Sequence, residues 1–286
     1  MSLETVLLLL NHFFMVTDPV TYSEMQASTY LTREFAPFEK RTTARNDTTY
    51  TGIYFYGRST YFELFEPGAQ GSLGTSGIAF GVETPGGSAG IRTAWDKALG
   101  GATTTRITRR TEKDEVPWFQ MTYAEGGRPA HPPNGPPVFS SWLMEYEPDF
   151  LARWYPDLTP ARSIARSDVL DRYVTKIGQA VLRNDFLMKD VVGLTLALPD
   201  AQRDPLLRQL AASGYTARAR KGITIVQGPE VALRFVPVTG ARRGVIEVEF
   251  ALQRPVGKSE ERFGKAVLAL DGERAFLRFG AGEAAR

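Results

Sequence analysis

The chain has no cysteine, only two histidines, and no apolar run long enough to cross a membrane. The missing cysteine excludes disulfides, thiolate metal ligands and a thiol nucleophile, and leaves the redox compartment open. Val6-Leu7-Leu8-Leu9-Leu10 runs straight into Asn11-His12, far short of the roughly 18 apolar residues of a membrane helix. It also lacks the basic flank and small-residue cleavage site of a signal peptide. Met1-Ser2-Leu3 is compatible with a removed export signal, so a soluble protein is expected, cytoplasmic or exported with its signal removed. The 34 Lys and Arg nearly balance the 32 Asp and Glu, giving a net charge of +2. No basic block is interleaved with aromatics, so neither nucleic acid nor membrane is expected as a partner. The glycine-containing loops Gly71-Ser72-Leu73-Gly74 and Pro85-Gly86-Gly87-Ser88 lack the Gly-Lys-Ser/Thr ending of a phosphate loop. No serine sits in a Gly-x-Ser-x-Gly elbow.

What is present is an ordinary globular composition: 286 residues, 43% hydrophobic and 23% charged. Residues 7–16 read as a buried strand ended by Thr17-Asp18-Pro19, where Asp18 suits an N-cap and Pro19 a first helical position. A helix is expected from Val20 to Phe35, stopped by Pro37, followed by strands over 38–45, 49–56 and 60–65, the last two joined by a Gly-containing turn. After a Gly/Ser-rich loop the order begins again. A strand is expected at 78–82, a helix at 88–99 stopped by Gly100-Gly101, and strands at 103–110, 118–123 and 138–146. Residues 150–183 are helix-compatible. A third round follows, with a strand at 191–198, a helix opened by Pro199-Asp200, strands at 215–220, 223–227, 231–238 and 244–252, and a terminal hairpin turning at Asp271-Gly272. The expected fold class is therefore α+β, built from repeated β-α-β-β-β modules. The expected division is 4–150 for two modules, 151–190 for a helical connector, and 191–286 for a third such unit with a C-terminal hairpin.

Two segments place a potential ligand inside an apolar strand. Leu10-Asn11-His12-Phe13-Phe14 holds one of the two histidines, and Tyr61-Phe62-Glu63-Leu64-Phe65 holds a carboxylate. Burying either group without a partner is costly. They can be metal ligands, an acid–base pair, or a structural pair that satisfies itself by hydrogen bonding. Tyr54, Tyr56, Tyr61 and Trp142 can line a pocket or simply pack in the core. Tyr61, Glu63 and Phe65 share one strand face by alternation. His131, in Ala130-His131-Pro132-Pro133, reads as a solvated loop histidine that a catalytic role would have to displace. Arg106, Arg109 and Arg110, with Arg218, Arg220 and Lys221, read as solvated strand faces.

These segments, with Thr49-Tyr50-Thr51-Gly52-Ile53-Tyr54-Phe55-Tyr56-Gly57 and Phe139-Ser140-Ser141-Trp142, resemble the vicinal oxygen chelate superfamily of glyoxalase and bleomycin-resistance proteins, in an uncharacterised glyoxalase-related branch. The resemblance covers the first module well, the second in element order, and the third only as a pattern. It implies a cup-shaped mixed sheet around a metal or ligand site, with one ligand from the first and one from the last strand of each module. His12 and Glu63 fall on the first-module positions. In the second module Ile78-Ala79-Phe80-Gly81-Val82 offers no ligand, and Glu145 is a tentative third ligand. Aligning Glu66-Pro67 with Glu147-Pro148 instead puts Met144 opposite Glu63 and turns Glu145 to the other face.

Three functions follow from the resemblance. One is a lyase, isomerase or dioxygenase acting on a small oxygen-rich substrate, with His12 and Glu63 at its centre and a divalent metal ion as cofactor. Another is a metal-free binding protein for a small hydrophobic or aromatic ligand. The last is a scaffold with a decayed site. A homodimer through the third unit is a further expectation.

Overall fold

The computed structural model describes residues 6–46, 48–110, 114–125, 135–148, 150, 164–180, 183–240 and 242–280. The architecture is mixed α+β, with an eight-stranded closed barrel and a second, six-stranded sheet. The barrel is made of β1 (Leu9–Val16), β2 (Phe38–Arg45), β3 (Thr48–Tyr56), β4 (Tyr61–Phe65), β5 (Ser76–Gly81), β6 (Ala102–Arg110), β7 (Glu115–Ala124) and β8 (Phe139–Tyr146). Around the barrel their order is β1-β4-β3-β2-β6-β7-β8-β5. β1 runs parallel to β4 and antiparallel to β5, and β5 runs parallel to β8. Every residue of β1 is buried, because it has a strand on each side, the barrel interior on one face and the second sheet on the other. That is why its sequence is a nearly continuous apolar run rather than an alternating one.

Closure is uneven. β2 meets β6 through the single register pair Arg45↔Arg109. Beside this seam lies helix α3 (Arg166–Lys176). Its Tyr173 ring stacks on Tyr56 with centroids 5.9 Å apart, and its hydroxyl accepts from Arg109 Nη1 at 3.3 Å.

The second sheet has the order β10-β11-β12-β9-β13-β14. It comprises β9 (Met188–Ala197), β10 (Thr216–Arg220), β11 (Ile223–Gln227), β12 (Ala232–Val236), β13 (Gly244–Phe263) and β14 (Ala266–Arg278). β9 is parallel to β12 and antiparallel to β13, the relation that β1 has to β4 and β5. The sheet packs on the outer face of the barrel. Phe250 of β13 meets Phe62 of β4 at 5.5 Å and Phe35 at 5.4 Å. Polar ties reinforce the contact: Asp190 Oδ1 accepts from the backbone N–H of Ser59 (2.6 Å) and Thr60 (2.7 Å). Buried Arg166 donates to Glu83 at 3.0 Å and to Glu230 at 2.6 Å. One apolar cluster runs through both sheets.

The remaining helices are α1 (Pro19–Ala27), α2 (Ser88–Leu99) and α4 (Asp200–Ala212). Asp18 caps α1 by accepting from Thr21 N at 3.1 Å. Gly100, at φ 86°, supplies the left-handed stop of α2.

Two local expectations are corrected. The helix expected over 20–35 breaks after Ala27, where Ser28 turns extended. Ser28 Oγ then accepts from Leu31 N at the head of a π-helical segment, Leu31–Phe35, so a side chain competing for backbone donors divides the helix. The terminal hairpin turns not at Asp271-Gly272 but at Gly264-Lys265. Phe263 pairs with Ala266, while Gly272 lies inside β14 where the ladder shifts register opposite Val256. A glycine at φ 59° serves a bulge as readily as a turn. The loop 126–137 and His131 lie largely or wholly outside the described residues, as do 151–163 of the expected connector.

Candidate functional site

β1 presents His12 to the barrel interior by way of a bulge. The β1–β5 register shifts between Leu10 and His12, so Asn11 is the extra residue, and its buried side chain reaches the neighbouring imidazole. Asn11 Oδ1 lies 2.8 Å from His12 Nδ1. With the amide oxygen accepting, the ring hydrogen sits on Nδ1 and Nε2 carries a lone pair. Register then brings Glu63 alongside: His12 pairs with Tyr61 and Phe14 with Glu63 across the parallel β1–β4 ladder. His12 Nε2 and Glu63 Oε1 are 3.9 Å apart. The Tyr61 ring stacks on the imidazole at 4.4 Å, and Trp142 meets it edge-on at 5.5 Å.

Burial sets the charge state of the pair. Desolvation, assisted by the positive charges of Arg45 and Arg41, lowers His12 from 6.5 to about 3. Desolvation raises Glu63 from 4.5 to about 7, against the pull of the same two arginines. Near neutral pH the 3.9 Å approach is therefore between a neutral imidazole and a carboxyl group poised between its two forms, rather than an ion pair.

His12 and Glu63 face a cavity of about 380 Å³. Its walls are mostly aromatic and sulfur-bearing, with Tyr61, Phe65, Trp118, Phe119, Met121 and Trp142 prominent, and Asn46, Thr48 and Gln70 stand at its rim. Small residues make room for these rings. The Phe65 ring occupies the place a Cβ at Gly52 would take, and the Phe14 ring does the same at Gly77. Of the pocket residues expected from the sequence, Tyr61 and Trp142 line the cavity. Tyr54 and Tyr56 do not. Tyr54 lies under the Arg41 guanidinium at 3.9 Å, and Tyr56 donates to Glu39 at 2.7 Å and accepts from Arg41 at 3.0 Å.

Glu145, the tentative third ligand, is out of the site. Its side chain points away from the barrel interior and accepts from the backbone N–H of Gly86 (2.5 Å) and Ser88 (2.9 Å) at the start of α2, where a helix favours negative charge. The cavity-facing residues of β8 are Ser140, Trp142 and Met144. Ala79 of β5 pairs with His12 across the sheet. The donor set is thus one imidazole and one carboxylate, and no group of three His, Asp or Glu able to hold a metal occurs among the described residues. That falls short of the three protein ligands of a typical catalytic zinc site, so the residues present do not fit a tightly held metal.

Two features of the site are not legible in the sequence. Asn11 gives no local signal beyond adjacency to His12, since the bulge that turns it inward depends on pairing with β5. Arg45 lines the cavity, but the charge alternation of Glu39, Arg41 and Arg45 shows which residues share a face and not that the face is interior.

Residues 10–279 match the model of the Family of unknown function (DUF5829), and the chain belongs to that family. No curated protein matches it in sequence. Among solved structures, the crystal structure of a hypothetical protein from Staphylococcus aureus is 11% identical, with a TM-score of 0.52, covering 91% of this chain and 97% of that one. At this identity the likeness speaks for the fold alone. A xylose isomerase-like TIM barrel/4-hydroxyphenylpyruvate dioxygenase fusion protein is also 11% identical, covering 97% of this chain and 50% of its own, at a TM-score of 0.44.

Proposed function

We propose that the chain is a glyoxalase-like protein of the vicinal oxygen chelate type whose barrel binds a small, largely apolar or aromatic molecule and presents it to the Glu63–His12 pair for proton transfer. The observation that carries this reading is the approach of Glu63 Oε1 to His12 Nε2, 3.9 Å apart, at an aromatic-walled cavity of about 380 Å³. A carboxyl group held near 7 is matched to general acid–base work at neutral pH, and a concave site that sets aromatic rings beside a charged and polar set is suited to a small molecule with an aromatic body and polar groups. The superfamily assignment is supported by the element order and by the strand relations, first parallel to fourth, that recur in β1–β4, β5–β8 and β9–β12. Fold alone does not select an activity.

The metal-dependent version, a lyase, isomerase or dioxygenase, is favoured by His12 and Glu63 standing where the superfamily places two of its ligands. Ala79 and Met144 occupy the positions that would supply the others. Elemental analysis of protein purified without chelator separates the versions: well under one equivalent of divalent metal is expected, and a stoichiometric ion lost in His12→Ala would establish the metal-dependent one.

The proton-transfer reading is tested by NMR titration of Glu63 in isotope-labelled protein. A midpoint near 7 that moves when an aromatic ligand binds is the expected result. A midpoint in the ordinary carboxylate range, unmoved by a panel of aromatic compounds, sinks it.

A further inference from the structure

Arg45 ends β2 at the barrel seam, is half-buried, and lines the same cavity as His12 and Glu63. Its guanidinium lies over the Tyr50 ring at 5.5 Å, and it has no ion-pair partner among the described residues. The contrast with Arg41, four residues earlier on the same face, is direct: Arg41 is matched by Glu39 at 3.0 Å and by Tyr56. Among the described residues, the other ionisable side chains that line the cavity are His12, Glu63 and three tyrosines, Tyr50, Tyr61 and Tyr123. At neutral pH the described lining therefore holds one permanent positive charge, Arg45, against a Glu63 carboxyl that burial leaves only partly ionised. A guanidinium on a half-dry surface favours a carboxylate, which it can hold through two parallel hydrogen bonds.

Resting on the binding reading above, we infer that the ligand is an organic anion: an aromatic or apolar body seated among Tyr61, Phe65 and Trp142, with its carboxylate held by Arg45 at the mouth. A cation would meet Arg45 as a like charge. A neutral molecule would leave Arg45 unmatched.

The test is isothermal titration calorimetry of the full chain at neutral pH with three probes of nearly one shape: indole-3-acetate, its neutral amide indole-3-acetamide, and the cationic tryptamine. The carboxylate is expected to bind on the order of tenfold more tightly than either of the others, as a charge-assisted bidentate contact allows. Arg45→Gln should bring the carboxylate down to the level of the amide without weakening the amide. Arg45→Lys, which keeps the charge but not the fork, should retain part of the preference, and it serves if the glutamine variant does not fold. If the amide or tryptamine binds as well as indole-3-acetate, the anion assignment is overturned while the cavity reading stands. If none of the three binds at millimolar concentration, both are overturned.

Discussion

The two halves of the barrel follow the same strand order and face the same cavity, yet they bring different chemistry to it. β1 and β4 contribute His12 and Glu63; β8 contributes Met144, and β5 has Ala79 at the register position opposite His12. The second half is not short of acid, since Glu145 is adjacent in sequence to Met144. One residue of offset sends its carboxylate to the opposite face of the strand, where it holds the start of α2. Glu63 and Glu145 therefore make a matched pair. One is a buried carboxyl near the end of its tolerance for charge, and the other is a carboxylate that backbone donors keep in place. A barrel needs apolar rings and small residues at its inner positions to close, and it can be closed with one polar half or two.

The largest effect is expected where the first half packs against the second sheet. Phe62 is fully buried, stacks on Phe55 at 4.7 Å and on Phe13 at 5.5 Å, and touches the second sheet through Phe250. Phe62→Ala should cost about 3–5 kcal/mol in a chemical denaturation experiment. A loss well below that would mean that barrel and second sheet do not share a core.

Glu63→Gln comes next, and its sign depends on pH. Between the unfolded value of 4.5 and the folded value of about 7, the native state keeps a proton that the unfolded state has released. Wild-type stability from this group thus falls as pH rises through that window and is level above it. His12 works oppositely. With a folded value of about 3 against 6.5, it makes the native state lose stability as pH falls from 6.5 towards 3. The two slopes oppose each other between 4.5 and 6.5. The glutamine variant should therefore match wild type near pH 4, exceed it by roughly 1–3 kcal/mol at pH 8, and show the uncompensated acid slope of His12. Equal stability of the two proteins at pH 8 would overturn the account of Glu63 as a destabilised carboxylate.

Glu145→Gln should instead destabilise at pH 8, by roughly 1 kcal/mol, through the weakened hold on α2. It should leave ligand affinity and the Glu63 titration unchanged. If it altered binding at the cavity, the division of roles between the two glutamates would be wrong.

The smallest effect on stability is expected from Asn11→Asp, whose interest is in the proton. A carboxylate beside Nδ1 should raise the His12 pKa from its lowered position while keeping the Nδ1–H tautomer, which nitrogen NMR of the ring reads directly. An unmoved His12 would show that Asn11 does not position the ring.

Much of the scaffold was legible from local pattern. The strand over 38–45, the helix over 88–99 and the strand over 223–227 have the expected bounds, because alternation, a glycine stop and turn glycines act over a few residues. Where a local signal has two meanings, neighbouring residues do not choose between them. Ser28 divided an expected helix, and Gly272 marked a bulge where Asp-Gly suggested a turn. His12 and Glu63 stood out as site candidates because a polar group in an apolar strand is rare enough to notice. Tyr54 and Tyr56 looked no different from Tyr61, yet only Tyr61 reaches the cavity, since the other two are taken up by Arg41 and Glu39.

The sequence by itself determined which side chains share a strand face, where most strands and helices begin and end, and that an imidazole and a carboxylate would be among the buried groups. Only the tertiary structure decided that those two face each other, that Asn11 and Arg45 join them, and that Glu145 does not. Strand periodicity is written into neighbouring residues, whereas the 3.9 Å approach of His12 to Glu63 and their opposite shifts in acidity arise from register and desolvation. Those are set by strands about fifty residues or more apart in the chain.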